Sequence, residues 1–246
     1  MPFETIDPTT EEKLTEFEAL DGADIKNVLD CARAGFETWR HFSIEERADR
    51  LLKLATLIEN GKHAFAKLMT REMGKPIASA VAEAEKCAWV CRFYAEEGAA
   101  HLEPQEFDSN GSKCWVEYQP LGAILAIMPW NFPFWQVIRC AAPALLAGNV
   151  ILLKHAPNVP QCAVAIEGLF ARAGFPEGTF QNVFAEIEDI PQILDNPIVQ
   201  GVSLTGSVRA GSAVAAEAAR RRRHLLREPR RRRRAGARVH RVGSGS

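Results

Sequence analysis

The stretch of sequence that decides the fold is GAILAIMPWNFPFWQVIRCAAPALLAGNVILLK, which occupies residues 122–154. It contains two short apolar runs, Gly122–Met128 and Asn149–Leu153, on either side of a helical pattern over Phe134–Leu146. Apolar runs of this length that are separated by a helix are typical of parallel strands buried on both faces. The stretch therefore predicts a strand, a helix and a second strand of a parallel α/β sheet.

The same alternation continues toward the C-terminus. Weaker apolar runs at Thr179–Phe184 and Ile198–Leu204 predict two further strands, and helical patterns at Gln161–Ala173 and Glu188–Leu194 predict the helices between the strands. We therefore predict an α/β fold, a Rossmann-like parallel sheet with flanking helices, over residues 120–218. Right-handed crossovers place ligand sites at the carboxyl ends of such strands.

The segment before the sheet, residues 1–103, is predicted to be helical. Ser43 and Glu46 form a capping box for a helix that ends at Gly61. Two further helices are predicted by apolar spacing and terminal glycines, over residues 63–73 and 78–97. Alternation of apolar and polar residues over 113–119 predicts a half-exposed strand.

Charge is distributed unevenly along the chain. The 246 residues carry 30 Lys and Arg against 31 Asp and Glu, a net charge of -1, but Arg220–Ser246 contains 12 Arg and one acid, or +11. The preceding residues therefore carry -12. An acidic body joined to a basic segment indicates either a binding tail or a segment outside the fold.

Composition excludes several classes of protein. Hydrophobic residues make up 47% of the chain, too many for a chain that is disordered throughout, and no apolar run approaches the roughly 20 residues of a membrane span. The N-terminus lacks the apolar core of a signal peptide. Six scattered cysteines without ligand-like spacing indicate reduced thiols rather than a metal site, so we expect a cytoplasmic location.

Three segments follow predicted strands and are the candidate functional sites: Met128–Pro133, Lys154–Pro157 and Thr205–Ser207. Each has a structural and a functional interpretation. The first is either a proline-bounded turn or a support for Asn131 as a fixed hydrogen-bond donor to an oxyanion. Lys154 is either a solvated lysine or a contact to a ribose or phosphate. Ser207 caps a helix, an arrangement that is compatible with anion binding at the same terminus.

Five short motifs follow one another in the order found in the aldehyde dehydrogenase superfamily. They are EMGKP at residues 72–76, PWNFP at 129–133, AGNVILLKHAP at 147–157, AGFPEG at 173–178 and LTGS at 204–207. From about Phe3 to Ala218 the chain resembles this superfamily, and its sequence is most similar to those of bacterial NAD(P)-dependent succinate-semialdehyde dehydrogenases. The resemblance implies oxidation of an aldehyde to the carboxylic acid with NAD or NADP, after attack of a cysteine thiolate on the carbonyl.

The resemblance also implies roles for the residues at the strand ends. Asn131 would be the catalytic carboxamide of the oxyanion hole, Lys154 would contact the adenosine ribose or its phosphate, and Gly206 with Ser207 would bind the pyrophosphate. Many NAD-specific members have a glutamate where this chain has Pro157, so charge at this position leaves NADP open. The implied partners are a small-molecule aldehyde and further copies in a homo-oligomer, without a metal or a membrane. The implied cofactor-binding residues are Met128, Trp130, Asn131, Lys154, His155, Ala156, Pro157, Gly206 and Ser207.

The resemblance stops after Ala218, where residues 219–246 replace the family's general-base and catalytic-cysteine motifs. Glu228 falls near the position expected for the base, but the neighbouring Pro229 would interrupt a central strand. None of the six cysteines lies where the nucleophile is expected. We therefore expect the chain to be inactive alone and interpret residues 219–246 as a disordered or out-of-frame tail after a cofactor-binding region at 1–218.

Two other functions fit the residues. The Arg-rich tail can bind nucleic acid or other polyanions non-specifically and with steep salt dependence, although no aromatic residue is available there to stack on bases. Alternatively, the chain is a non-catalytic partner of a full-length homologue, joined through the oligomerisation-type strand at 113–119.

Overall fold

The structure is a computed structural model that describes residues 3–108, 114–221 and 223–226. An N-terminal hairpin of β1 (Phe3–Ile6) and β2 (Lys13–Phe17) is followed by a short connection and three helices. The helices are α1 (Gly22–Trp39), α2 (Ile44–Met73) and α3 (Ile77–Glu97). The hairpin lies inside the segment that the sequence predicts as helical. Its inner face is anchored by tertiary contacts, since the Thr5 hydroxyl donates to the Glu72 carboxylate at 2.6 Å.

Helix α2 is one continuous helix where the sequence predicts two. The capping box of Ser43 and Glu46 is present at its start, and Gly74 ends it in the left-handed conformation, as predicted. The predicted stop at Gly61 is wrong. A Cβ at this position would lie 2.4 Å from the Phe65 ring, so the glycine makes room for an aromatic side chain one turn later in the same helix.

A short hairpin separates the helices from the sheet. Strand β3 (Gln105–Glu106) pairs with β4 (Trp115–Val116), which lies within the strand predicted at 113–119. Both residues of β4 are about half exposed. Among the described helices, none is long and apolar enough to cross a membrane.

The sheet that positions the site has five parallel strands. They are β5 (Ala123–Ile127), β6 (Val150–Lys154), β7 (Phe180–Asn182), β8 (Val199–Leu204) and β9 (His224–Leu226), in the spatial order β7-β6-β5-β8-β9. All residues of β6 are buried, and because successive residues point to opposite faces, both faces are covered. The predicted parallel α/β sheet is thereby confirmed.

Three of the connecting helices lie within a few residues of their predicted positions, and the last follows the N-cap predicted at Ser207. The four helices are α4 (Trp135–Leu146), α5 (Pro160–Arg172), α6 (Ile190–Asp195) and α7 (Val208–Arg220). Strands β6 and β7 lie on one side of β5, whereas β8 and β9 lie on the other. The direction of winding therefore reverses beside β5, which is the position where open α/β sheets bind their ligands.

The sheet continues past residue 218, the boundary drawn from the sequence. Helix α7 extends to Arg220, and β9 pairs with β8 through the register of Val202 with Leu225. The strand forms because Leu225 packs, partly buried, against the main core, although arginines precede it in the sequence. The rest of the predicted tail, including Glu228, lies outside the described residues.

Candidate functional site

Three loops meet at the carboxyl edge of the sheet. In the strand register Ile127 lies between Lys154 on one side and Leu204 on the other, so β6, β5 and β8 end in one row. The loops stay joined beyond the last ladder pairs: Met128 donates its N–H to the Lys154 carbonyl at 3.1 Å, and Thr205 donates to the Ile127 carbonyl at 3.1 Å. All three candidate segments therefore lie side by side.

The loop 129–133 presents aromatic and amide groups at the surface. Trp130 and Phe132 are 49% and 44% exposed, and Asn131 is exposed as well. Pro133, in contrast, is buried. The loop is thus fixed at its end, while Trp130 and Asn131 remain open to a ligand.

His155 ties the β6 loop to this segment. Its Nδ1 accepts the N–H of Ala156 at 2.8 Å, so Nε2 carries the proton and donates to the Pro133 carbonyl at 2.9 Å. Burial lowers the pKa of His155 to about 4, against the two backbone contacts at Pro133 and Met128. The imidazole is therefore neutral at physiological pH and serves as a link between loops. Ala156 is partly exposed, and Pro157 is exposed.

Lys154 is a buried cation at the end of a central strand, with 8% of its surface exposed. Within the described residues, none forms a hydrogen bond or ion pair with its ammonium group, which lies 5.9 Å from the centre of the Phe3 ring. Burial lowers its pKa, opposed by the negative charges of Glu186, Asp189 and Glu188. A largely buried lysine whose ammonium has no hydrogen-bond or ion-pair partner among the described residues is suited to a polar or anionic ligand.

The third loop leads into α7. The Ser207 hydroxyl accepts the N–H of Ala210 at 3.2 Å, so the predicted N-cap is present. Gly206 and Ser207 are exposed, and the helix dipole places partial positive charge at this terminus. The loop therefore offers an open, positively polarised helix terminus.

A cleft of about 1160 Å³ runs along α4, β8 and α7. Of the predicted residues, Met128, Gly206 and Ser207 line it. It does not include Trp130, Asn131, Lys154, His155, Ala156 or Pro157, which lie along the sheet edge beside it. The candidate residues therefore form an extended rim rather than one enclosed pocket.

Sequence reasoning missed the charged residue that lines this cleft, Arg139. On α4, its guanidinium donates to the Thr205 hydroxyl at 2.9 Å and to the Gln136 side chain at 2.6 Å. Burial lowers the pKa of Arg139. Its position in a helical pattern gave no signal that it reaches the loop after β8.

Cysteine chemistry does not add a nucleophile to the described site. Cys87, Cys91 and Cys162 are buried, and burial raises the pKa of each thiol, that of Cys91 to about 12. Burial likewise raises the pKa of Cys140, which lines the cleft. Among the described residues, no group of His, Cys, Asp and Glu is arranged to hold a metal ion.

The strand order and the reversal beside β5 define a doubly wound α/β sheet of the Rossmann type. The sequence matches the aldehyde dehydrogenase family over residues 1–228, and the chain belongs to this family.

Named relatives agree with that assignment. The chain is 46% identical over 219 residues to a succinate-semialdehyde dehydrogenase (NADP(+)) of Mycobacterium leprae, covering 88% of this chain and 48% of the relative. It is 44% identical over 214 residues to a succinate semialdehyde dehydrogenase (NAD(P)+) of Escherichia coli. This match covers 87% of this chain and 46% of the relative. The chain thus spans about half the length of these relatives.

A solved structure gives the same result. Succinic semialdehyde dehydrogenase from Streptococcus pyogenes, in complex with NADP+, superposes with a TM-score of 0.87 at 32% identity. The match covers 90% of this chain and 49% of that one. The predicted family and the predicted fold are therefore both confirmed.

Proposed function

We propose that this chain binds NAD or NADP along the carboxyl edge of its sheet and provides the cofactor-binding part of an aldehyde dehydrogenase. The observation that carries the proposal is the common row formed by Lys154, Ile127 and Leu204. It brings the ammonium of a largely buried lysine, an exposed carboxamide and an open helix terminus onto one edge at the switch point of the sheet. The names of the similar proteins, which include NADP(+), support the same class of ligand.

Each group along the edge suits one part of a dinucleotide. Gly206 and Ser207 would hold the pyrophosphate at the start of α7, where the helix dipole favours an anion. Lys154, with Ala156 and Pro157 in the loop that follows, would meet the adenosine ribose or a 2′-phosphate, and the buried His155 would hold that loop in place. Met128, Trp130 and Asn131 would line the nicotinamide end.

The fit is supported by the chemistry of Lys154. A lysine that is buried and lacks a direct partner among the described residues gains most from a ligand that supplies hydroxyl or phosphate oxygens. When bound, the nicotinamide would accept a hydride from the substrate. In this chain, Asn131 would donate its carboxamide N–H to the oxygen that becomes negative when the aldehyde carbon is attacked.

We propose an aldehyde that carries a carboxylate, such as succinate semialdehyde, as the substrate class of the whole enzyme. Arg139 supports this choice, because a guanidinium at the wall of the cleft, next to Thr205, can bind a carboxylate with charge-assisted hydrogen bonds. The described cysteines have raised pKa values or lie away from the edge. We therefore propose that the chain by itself binds the cofactor without oxidising the aldehyde.

The experiment is a titration of the purified chain with NADPH and NADH, in which binding is measured by calorimetry or by nicotinamide fluorescence. We expect saturable binding that Lys154→Met weakens at least tenfold. Lys53→Met, which removes an exposed lysine on α2, serves as the control and should bind as the unmodified chain does. Absence of binding by the unmodified chain, or equal binding by Lys154→Met, would contradict the proposal, and aldehyde oxidation above a protein-free control would contradict the inactivity.

A further inference from the structure

A buried ion pair behind the edge is not used by the proposed function. Lys75, which follows α2, forms an ion pair with Glu83 on α3, and only 8% and 1% of the two side chains are exposed. The sequence motif EMGKP contains Lys75, but motif reasoning gave this lysine no role. Both charges face the segment that carries Asn131.

Glu83 holds the start of α4. One carboxylate oxygen accepts the N–H of Phe134 and the N–H of Trp135, both at 2.9 Å. These amides belong to the first turn of the helix, whose donors have no partner within the helix itself. The residue therefore caps α4 from a different helix and fixes where the loop 129–133 ends.

Lys75 contacts the loop at Asn131 and Phe132, just before the start of α4. Its ammonium donates to the Asn131 carbonyl at 3.1 Å and lies 3.6 Å from the centre of the Phe132 ring. Its own backbone is fixed, because the Thr70 hydroxyl donates to the Lys75 carbonyl at 2.7 Å. The peptide between Asn131 and Phe132 is thus set by a charge anchored at the end of α2.

Stability alone is a weak reason for such a pair. Burying two charges costs several kcal/mol of hydration, and replacing a buried pair by apolar residues is often neutral or stabilising. The pair instead fixes the conformation of the loop, since it contacts three consecutive points: the Asn131 carbonyl, the Phe132 ring and the amides at the start of α4.

We infer that Lys75 and Glu83 are positioning residues that set the conformation of the loop 129–133 and, through it, the direction of the Asn131 carboxamide. The inference rests on the proposed function, in which this loop receives the nicotinamide end of the dinucleotide. It predicts that loss of the pair weakens binding of the nicotinamide half while leaving the adenosine half, held near Lys154, unaffected.

The test uses the full chain with the double variant Lys75→Met/Glu83→Gln. This variant leaves no lone buried charge, and the glutamine oxygen can still accept the amides of α4, so we expect the fold to be retained. A matched control is Lys62→Met/Glu85→Gln, because this pair also joins α2 to α3, at 2.7 Å, but lies away from the loop.

Two readouts are measured. We expect the double variant to bind NADPH at least tenfold more weakly and adenosine 2′,5′-bisphosphate within twofold of the unmodified chain. We also expect amide hydrogen exchange over residues 129–138 to be at least tenfold faster, because a neutral amide replaces a charge-assisted acceptor. The control variant should match the unmodified chain in both readouts.

The outcomes separate the inference from the proposed function. Unchanged exchange in the double variant, or an equal loss of affinity for both nucleotides, overturns the positioning role. If the unmodified chain binds neither nucleotide, nor NADH or ADP, the proposed function fails, and the exchange of residues 129–138 alone decides whether the pair orders the loop.

Discussion

The carboxylate of Glu72 accepts the backbone N–H of Cys162 at 2.8 Å, across 90 residues of sequence. Its other oxygen accepts the N–H of Gln161 at 2.7 Å and the Thr5 hydroxyl at 2.6 Å. Glu72 thereby caps α5 from the end of α2 and fastens the N-terminal hairpin to both. Together with Glu83, it gives two of the sheet's helices a carboxylate cap that belongs to the helical segment before the sheet.

Removal of the Glu72 carboxylate should destabilise the whole domain. Glu72→Ala leaves one buried amide, one partly buried amide and one buried hydroxyl without their acceptor, so we expect the free energy of unfolding to fall by roughly 2–4 kcal/mol. Urea unfolding followed by circular dichroism measures the change. Glu97→Ala, at an exposed position at the end of α3, is the control and should change the free energy by less than about 0.5 kcal/mol.

Replacement of Pro157 should change the preference between the two cofactors. The residue is exposed, three positions after the buried Lys154, and carries no charge. A carboxylate there would repel a 2′-phosphate and accept a hydrogen bond from a 2′-hydroxyl, so Pro157→Glu should shift the ratio of the two dissociation constants at least tenfold toward NAD. Titrations with NADPH and NADH measure the ratio. If Pro157→Gln shifts it equally, charge is not the cause.

The sheet and its edge could be predicted because their signals are local. The apolar runs that predict β5 and β6 need no knowledge of distant residues, and the segments after them follow from the topology of parallel sheets. The supports of the site could not be predicted in this way. Glu83 reaches α4 across 51 residues and Arg139 reaches Thr205 across 66, and neither contact leaves a periodic pattern in the sequence.

Gly61 illustrates the same limit on the scale of one helix. A glycine after an apolar helical pattern is a good stop signal, and at Gly74 it is correct. At Gly61 the Phe65 ring fills the space that a Cβ would need, so glycine is required for packing and the helix continues. Only the position of the ring distinguishes the two cases.

The reactivity of each cysteine thiol should depend on how deeply it is buried. Cys114 is exposed, whereas Cys87, Cys91 and Cys162 are buried with raised pKa values. Since the thiolate is the reactive form, iodoacetamide at neutral pH should label Cys114 within minutes and the three buried thiols only after unfolding. Peptide mass spectrometry measures the order. Rapid labelling of Cys162 or Cys91 in the folded chain would show that burial does not protect these thiols.

The stability of the chain should depend on the protonation of His155. Because its pKa is lowered from 6.5 to about 4 in the folded chain, the unfolded chain binds the proton first, and the free energy of unfolding falls as the pH drops from about 6.5 to about 4. The largest contribution is about 3 kcal/mol, at 1.36 kcal/mol per pKa unit. Urea unfolding at several pH values measures the slope. His155→Asn should flatten it, whereas His63→Asn, at an exposed position, should keep it. If both variants retain the slope, carboxylates rather than the link between His155 and the Pro133 carbonyl govern the acid sensitivity of the fold.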